Sequence, residues 1–169
     1  MDLYILRHAI AEDRDEATGK PDSQRRLTPE GEEKMRRIAK GMKSLGLEFD
    51  LMLTSPYLRA KETAEIVADV LKLSKQLEIS AELTPHGNPR KLIDALNGHY
   101  SGRKSIVLVG HEPYLSNLIS LLLSGDTSLE IDLKKGGLCK LGAQHLKYGR
   151  CASLEWLLAP RQLRAICGN

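Results

Sequence analysis

Residues 105–113 have the sequence SIVLVGHEP, which gives the clearest indication of the fold class. Its first six residues form an apolar run without alternation, which is typical of a strand buried on both faces of a parallel sheet. Two polar residues, His111 and Glu112, follow directly after Gly110. Apolar side chains then recur at helical spacing, at Leu115, Leu118, Ile119 and Leu122. The stretch therefore predicts a buried parallel strand that leads into a helix.

The same order of strand and helix occurs along the rest of the chain. Short apolar runs predict strands at residues 3–6, 51–53, 138–141 and 154–158, with an edge strand near Ile79 and Leu83. Capping side chains before prolines predict helix starts at Thr28, Ser55 and Asn88. Residues 9–27 contain few large apolar side chains and are expected to form a long surface loop.

Alternation of this kind predicts an α/β fold in a single domain over residues 1–169. We expect a mostly parallel sheet of about five to six strands with helices on both of its faces. In such sheets, ligands bind at the carboxyl ends of the strands. Arg7 and His8, Ser55 to Arg59, and His111 all follow predicted strands, so we expect them to converge at one edge.

Composition excludes several classes of protein. The 169 residues carry a net charge of only +3, which is below the strongly basic balance of a dedicated nucleic-acid binder. The three cysteines form no C-x-x-C pair, which argues against a disulfide framework and fits a reducing cytoplasm. There is neither a basic leader nor an apolar stretch of membrane-spanning length. We expect a cytoplasmic protein without nucleic-acid or membrane partners.

Two arginines and two histidines at the strand ends carry the predicted chemistry. A neutral imidazole at His8 can act as a nucleophile near pH 7, and the guanidiniums of Arg7 and Arg59 can hold phosphate oxygens. His111 lies at the mouth of the sheet after a glycine that permits close backbone approach. Arginines can neutralise a transferring phosphoryl group, and the sequence contains no H-E-x-x-H, EF-hand or P-loop motif. The set predicts phosphoryl transfer without a metal or another cofactor.

These motifs resemble a known family. LRHA at residues 6–9, SPYLRAKET at 55–63 and GHEP at 110–113 are similar to the three blocks of the histidine phosphatase (phosphoglycerate mutase-like) superfamily. The stretch ELTPHG at residues 82–87 and the short chain resemble its SixA-type phosphohistidine phosphatases. In place of the family's Arg-His-Gly, this sequence has alanine at position 9, next to the predicted phosphate site.

The resemblance implies a role for each matching residue. His8 would be the nucleophile that is transiently phosphorylated, Arg7 and Arg59 would grip the phosphoryl oxygens, and His111 would complete the pocket. Arg25 and Glu82 resemble substrate-binding positions, and Glu82 is also the nearest candidate for a general acid. The substrate would be a histidine-phosphorylated protein, such as a phosphotransfer or phosphocarrier domain, and the enzyme would be a monomer.

Two alternatives stay open. A phosphatase of small phosphate monoesters would use the same scaffold, with Glu82 or Glu12 protonating the leaving alkoxide. Alternatively, a phosphate-binding module without turnover would recognise phosphorylated partners only. The absence of a clear general acid favours the phosphohistidine substrate, because imidazole leaves far more readily than an alkoxide.

Overall fold

A six-stranded sheet occupies the centre of the computed structural model, which describes residues 1–14 and 19–167. The strands are β1 (Asp2–Arg7), β2 (Leu51–Thr54), β3 (Leu77–Ile79), β4 (Ser105–Gly110), β5 (Leu138–Ala143) and β6 (Ala152–Leu158). The helices are α1 (Pro29–Ser44), α2 (Leu58–Leu71), α3 (Pro89–Gly98), α4 (Tyr114–Ser124) and α5 (Pro160–Ile166). Short 3-10 turns lie at Asp22–Gln24, Ser74–Gln76 and Ala81–Leu83.

The order of the strands across the sheet is β3-β2-β4-β1-β5-β6. The pairs β1–β4, β2–β4 and β2–β3 are parallel, whereas β5 is antiparallel to both β1 and β6. The predicted mostly parallel sheet is therefore confirmed. The run at 105–110 is the central strand β4, buried from Ile106 onward between two parallel neighbours, as its continuous apolar character requires.

Helices cover both faces of the sheet, as predicted. Alternate strand residues such as Leu6, Met52 and Val109 pack with α1, α2 and α5 in one apolar cluster. The intervening residues, such as Ile5 and Leu108, pack with α3 and α4 in a second cluster on the opposite face. The period of two along each strand thus divides the core into two layers.

Two of the three predicted helix starts are observed, and the third is displaced along the chain. Thr28 Oγ1 accepts a hydrogen bond from the N–H of Gly31, and Asn88 Oδ1 accepts from two backbone N–H groups of α3. The prediction that a helix opens at Ser55 is wrong, because α2 begins at Leu58. Ser55 is fully buried at the end of β2 instead, and its hydroxyl contacts a histidine described below.

The segment after β1 is irregular, as predicted for residues 9–27, although residues 15–18 lie outside the described part of the chain. Ala11 and Leu27 form an isolated antiparallel bridge that closes its base. The short helix α5 has no counterpart among the predicted elements; it packs against α1, where Leu163 is fully buried. Among the described residues, no helix is long and apolar enough to cross a membrane.

Candidate active site

The three predicted blocks meet at the carboxyl edge of the sheet. Arg7, the last residue of β1, is paired in register with Gly110, the last residue of β4. On the other side of β4, Thr54 at the end of β2 is paired with Val109. The following residues, His8, Ser55 and His111, therefore emerge side by side, and the rings of the two histidines lie 5.1 Å apart.

Hydrogen bonds fix the tautomer of His8. Its Nδ1 lies 2.7 Å from the carbonyl oxygen of Ala9, which can only accept, so Nδ1 carries the proton. Its Nε2 lies 3.2 Å from Nε of Arg59, which can only donate, so Nε2 carries the lone pair. Burial lowers the pKa of His8 to about 3, and the charges of Arg59 and Arg7 act in the same direction. His8 is therefore a neutral imidazole whose basic nitrogen faces Arg59.

Arg59 is the second residue of α2 and is only 3% exposed. Its Nη1 donates to the backbone oxygen of Asp22 at 2.7 Å, and its Nη2 donates to the Asp22 carboxylate at 3.0 Å. Burial by itself raises the pKa of Asp22, but hydrogen bonds and charges from Arg59 and Arg25 outweigh it and lower that pKa on balance. Asp22 thus holds the guanidinium beside His8 as a charge-assisted partner.

His111 is paired with a serine hydroxyl. Its Nε2 lies 2.9 Å from Ser55 Oγ, and the N–H of Tyr57 donates to the same oxygen at 3.2 Å. The Ser55 hydroxyl has no other acceptor among the described residues, so donation to His111 Nε2 is the arrangement that gives this hydroxyl proton a partner. Nδ1 of His111 then carries the proton, and it is buried without a partner in the described chain.

Burial lowers the pKa of His111 to about 2, with further lowering by the nearby His8 and Arg59. The imidazole is therefore neutral, and its unpaired Nδ1–H is a hydrogen-bond donor. Buried donors of this kind are rare in proteins, and an acceptor oxygen of a ligand would satisfy it.

Arg7 brings the second guanidinium to the same edge. Its Nη1 donates to the carbonyl oxygen of Leu133 at 2.9 Å, while its Nε is buried without a partner in the described residues. Burial lowers the pKa of Arg7, although Glu112 and Asp132 act in the opposite direction. Burial also favours the uncharged form of Glu112 and so raises its pKa; Oε1 of Glu112 accepts from the N–H of Ser116.

The two remaining sequence candidates occupy different places. Arg25 lies behind Asp22, away from the histidines. Its Nε donates to Asp22 Oδ1 at 2.9 Å, and its Nη1 donates to the carbonyl of Glu12 at 2.6 Å. Its charge contributes to the lowered pKa values of Arg59 and His111. Glu82 lies in the 3-10 turn Ala81–Leu83, and its carboxylate accepts from the N–H of Asn88, the residue before α3, at 2.8 Å. Among the described residues, no hydrogen bond joins it to the histidine cluster.

Glu12, the other predicted carboxylate, forms an ion pair with Lys20 at 2.6 Å and accepts from the N–H of Arg26. Ala9 has its methyl group within the apolar cluster under α1 and α2, and its N–H donates to Thr63 Oγ1. The residue that differs from the family's glycine is thus accommodated by the core.

Sequence reasoning missed Asp22 and the role of Ser55. Asp22 was only one of several acids in the predicted loop, and its proximity in sequence to Arg25 was the available signal. A serine before a proline at a strand end is typical of a helix cap, so the sequence pattern at Ser55 does not indicate a contact with His111.

The charges that could neutralise a bound anion come from side chains. Arg7 directly precedes His8, Arg59 contacts it, and Arg25 adds positive charge from behind Asp22. Among the described residues, no three histidine, cysteine or acidic side chains cluster as metal ligands do. The arrangement combines an imidazole lone pair, an uncharged N–H donor and nearby guanidiniums, a set of groups that can accommodate a phosphoryl group.

Comparisons with known proteins point to one family. A sequence profile of the histidine phosphatase superfamily (branch 1) matches residues 3–84. The chain is 35% identical over 130 residues to the phosphohistidine phosphatase SixA of Escherichia coli (strain K12), covering 75% of this chain and 77% of SixA. It is also 35% identical over 166 residues to an uncharacterized protein of Picosynechococcus sp., covering 96% and 99% of the two chains.

Solved structures show the same fold. The protein histidine phosphatase SixA complexed with tungstate superimposes with a TM-score of 0.82 at 28% identity, covering 96% of this chain and 99% of that one. A SixA protein from Agrobacterium tumefaciens, at 22% identity, gives a TM-score of 0.75 over 94% and 97% of the chains and supports the fold alone. By its sequence identity over most of both chains, this protein belongs to the histidine phosphatase superfamily, among its SixA-like members, and is a phosphatase.

Proposed function

We propose that the protein removes the phosphoryl group from a histidine of a partner protein through a phospho-His8 intermediate, without a metal ion. The observation that carries this proposal is the fixed tautomer of His8, whose lone pair is on Nε2 while Nδ1–H is held by the carbonyl of Ala9. The similarity to phosphohistidine phosphatase SixA and to its tungstate complex supports an oxyanion site here.

In the first step, Nε2 of His8 attacks the phosphorus of the substrate. The new N–P bond forms with the lone pair of Nε2, and the N–P bond to the substrate histidine breaks. Its electron pair stays on the substrate nitrogen, so a substrate imidazole that carries a proton on its other nitrogen leaves as neutral imidazole. His8 becomes a phosphoimidazolium, and its Nδ1–H remains hydrogen-bonded to Ala9, which favours the new positive charge.

In the second step, a water molecule attacks the phosphorus of phospho-His8. The new O–P bond forms as the N–P bond breaks, the electron pair returns to Nε2, and the proton of the water leaves with phosphate or passes to solvent. His8 is restored as the neutral tautomer. Neither step produces an alkoxide, so the mechanism does not depend on Glu82 as a general acid.

Arg7, Arg59 and His111 stabilise the phosphoryl group in both steps. Of the five N–H groups of Arg59, three donate to His8 and Asp22, which leaves two for phosphoryl oxygens. Nδ1–H of His111 and Nε–H of Arg7 are unpaired among the described residues. These prearranged donors match the equatorial oxygens, where charge is spread in the transition state. Arg25 contributes positive charge from behind Asp22.

A histidine on another protein needs access to this edge. Between α2 and α3, residues 72–88 form only two 3-10 turns and the three-residue strand β3, so no inserted subdomain covers the site from this side. We therefore propose a phosphotransfer or phosphocarrier domain as the substrate, with Glu82 at the rim as a substrate contact. Cys139, Cys151 and Cys167 are free, which supports a reducing cytoplasm as the location.

Phosphate release from a histidine-phosphorylated phosphotransfer domain tests the proposal. The assay contains a chelator, an aryl phosphate is measured in parallel, and single-turnover samples are examined for an acid-labile phosphoryl group on His8. The wild-type protein should turn over the phosphoprotein faster than the aryl ester, and His8→Ala should abolish both turnover and labelling. His99→Ala, which alters an exposed histidine at the end of α3, is the matched control and should remain active.

Other outcomes favour other functions. Faster turnover of the aryl ester would replace the proposal with a monoesterase and would make a carboxyl group such as Glu82 or Glu112 the required acid. Binding of the phosphoprotein without phosphate release or labelling would indicate a recognition module. Loss of activity on chelation would refute the metal-independent mechanism.

A further inference from the structure

A second feature of the same edge is a cleft of about 540 Å³, which includes Arg7 but is not lined by His8, Arg59 or His111. It lies between α1, α5 and the loop that precedes β5, and we call it the basic cleft. Its described lining comprises Arg7, Ala9, Ile10, Gly31, Lys34, Ile38, Lys134, Lys135, Pro160 and Arg164. Five of these side chains are cationic and none is acidic.

The cations at the cleft are only partly neutralised. Lys34 is paired with Glu30, and Lys134 is paired with Asp132 at 2.6 Å. Within the described residues, Lys135 and Arg164 form no ion pair, although Glu30 is close enough for the charge of Arg164 to lower its pKa. The cleft therefore has an excess of positive charge on the side of α5 and the loop.

The floor of the cleft is apolar. It consists of Ala9 and Ile10 after β1, Ile38 on α1 and Pro160 on α5. Close packing builds this floor, since a Cβ on Gly31 would lie 2.1 Å from the carbonyl oxygen of Ile10. An apolar floor below cationic side chains is suited to glutamate or aspartate side chains, which have an aliphatic stem and an anionic end.

The basic cleft is continuous with the catalytic residues. Arg7 lines it and directly precedes His8, and Ala9, which directly follows His8, forms part of the floor. Lys135 is close enough for its charge to contribute to the lowered pKa of His8. A chain that places a phosphohistidine at His8 would therefore extend its neighbouring residues over the cleft.

We propose that the basic cleft binds acidic residues next to the phosphohistidine of the protein substrate, and so selects partners whose phosphohistidine lies in an acidic surface. This inference rests on the proposed function. Complementary charge of this kind speeds association and discriminates between partners. Free phosphohistidine carries no flanking acidic residues, so it lacks the side chains that the cleft would bind.

Two synthetic peptides provide the test. Each carries one phosphohistidine, flanked on both sides by two glutamates in the first peptide and by two glutamines in the second. At low ionic strength, the wild-type protein should hydrolyse the acidic peptide with a kcat/KM about tenfold higher. The double variant Lys135→Gln/Arg164→Gln should lose this preference, and salt at a few tenths molar should reduce it in the wild type.

Controls separate the cleft from the catalytic site. Arg103→Gln/Lys104→Gln removes one arginine and one lysine that precede β4, at the opposite edge of the sheet, and should retain the preference. All three proteins should hydrolyse free phosphohistidine at the same rate within about twofold, because that substrate has no flanking acidic residues for the cleft to bind.

Equal rates on the two peptides in the wild type would overturn the inference, and so would a preference that survives in the double variant. An equal loss on both peptides and on free phosphohistidine would show that the two cations act on the reaction itself, and would also refute a docking role. If the wild type hydrolyses no phosphohistidine substrate at all, the proposed function fails, and this inference fails with it.

Discussion

Protonation of His8 gives the sharpest test of the site. Burial lowers its pKa from the ordinary 6.5 to about 3, against the opposing effect of the hydrogen bond to the Ala9 carbonyl. At pH 5, a histidine of ordinary pKa is about 3% neutral, whereas a pKa near 3 leaves about 99% of it neutral. The population of His8 able to attack phosphorus therefore differs about thirtyfold between the two cases at this pH.

Nitrogen-15 NMR of the free protein with labelled histidine rings measures this difference directly. At pH 7 and pH 5 alike, we expect His8 to show a neutral ring with the proton on Nδ1, because its partners at both nitrogens fix that tautomer. His8→Gln assigns the signal, and His99→Gln serves as the matched assignment control.

Phosphorylation of His8 supplies a second readout. In single-turnover labelling by a phosphoramidate donor, the rate at pH 5 should stay within about threefold of that at pH 7 once ionisation of the donor is taken into account. An imidazolium signal for His8 at pH 5, or a thirtyfold loss of labelling with the ionisation of an ordinary histidine, would refute the buried neutral nucleophile.

Three further predictions concern its neighbours. Ser55→Ala should lower kcat about tenfold or more. It should also lower thermal stability, because the buried Nε2 of His111 and the N–H of Tyr57 both lose their partner. Ring-nitrogen shifts of His111 should show loss of the Nδ1–H tautomer; an unchanged tautomer would exclude this role for the hydroxyl. Asp22→Asn should lower the unfolding free energy in urea by about 1–2 kcal/mol at pH 7. Because the pKa of Asp22 is lowered in the folded state, the contribution of its carboxylate to stability is present above its unfolded pKa and is lost as pH falls. The unfolding free energies of the variant and the wild type should therefore converge at low pH. A difference in unfolding free energy that does not change with pH would contradict the ion pair. Between about pH 6.5 and pH 3, the unfolded chain binds more protons at His8 than the folded protein does, so His8 alone should lower the unfolding free energy by about 2 kcal/mol from pH 7 to pH 5. His8→Gln should reduce this loss of stability. An equal loss in the variant would show that other groups cause it.

The framework of the site could be predicted because it depends on backbone topology. The continuous apolar runs before His8 and His111 indicated buried parallel strands, and parallel strands end at the same edge of a sheet. That the two rings lie within 5.1 Å of each other follows from the pairing of β1 with β4. The arginine at position 59 joins them because β2 is the other neighbour of β4.

Side-chain partners could not be predicted in the same way. Serine before proline is compatible with a helix cap and with a buried hydroxyl, and only the packing of β2 against β4 places Ser55 on His111. Asp22 lies 37 positions from Arg59, in a loop without apolar periodicity, so no sequence pattern selects it from the neighbouring acids. The short helix α5 was missed because its seven residues carry a single fully buried apolar side chain, Leu163.

Two unpaired donors connect the stability of the site with its function. Nδ1 of His111 and Nε of Arg7 are buried and unpaired among the described residues, and each such donor costs the folded protein about 1–3 kcal/mol. A phosphoryl oxygen that accepts from either donor recovers this free energy only while it is bound. The two imidazoles have complementary roles, because His8 presents a nitrogen lone pair and His111 presents an N–H donor. Burial keeps both rings uncharged, so neither role is lost by protonation near neutral pH.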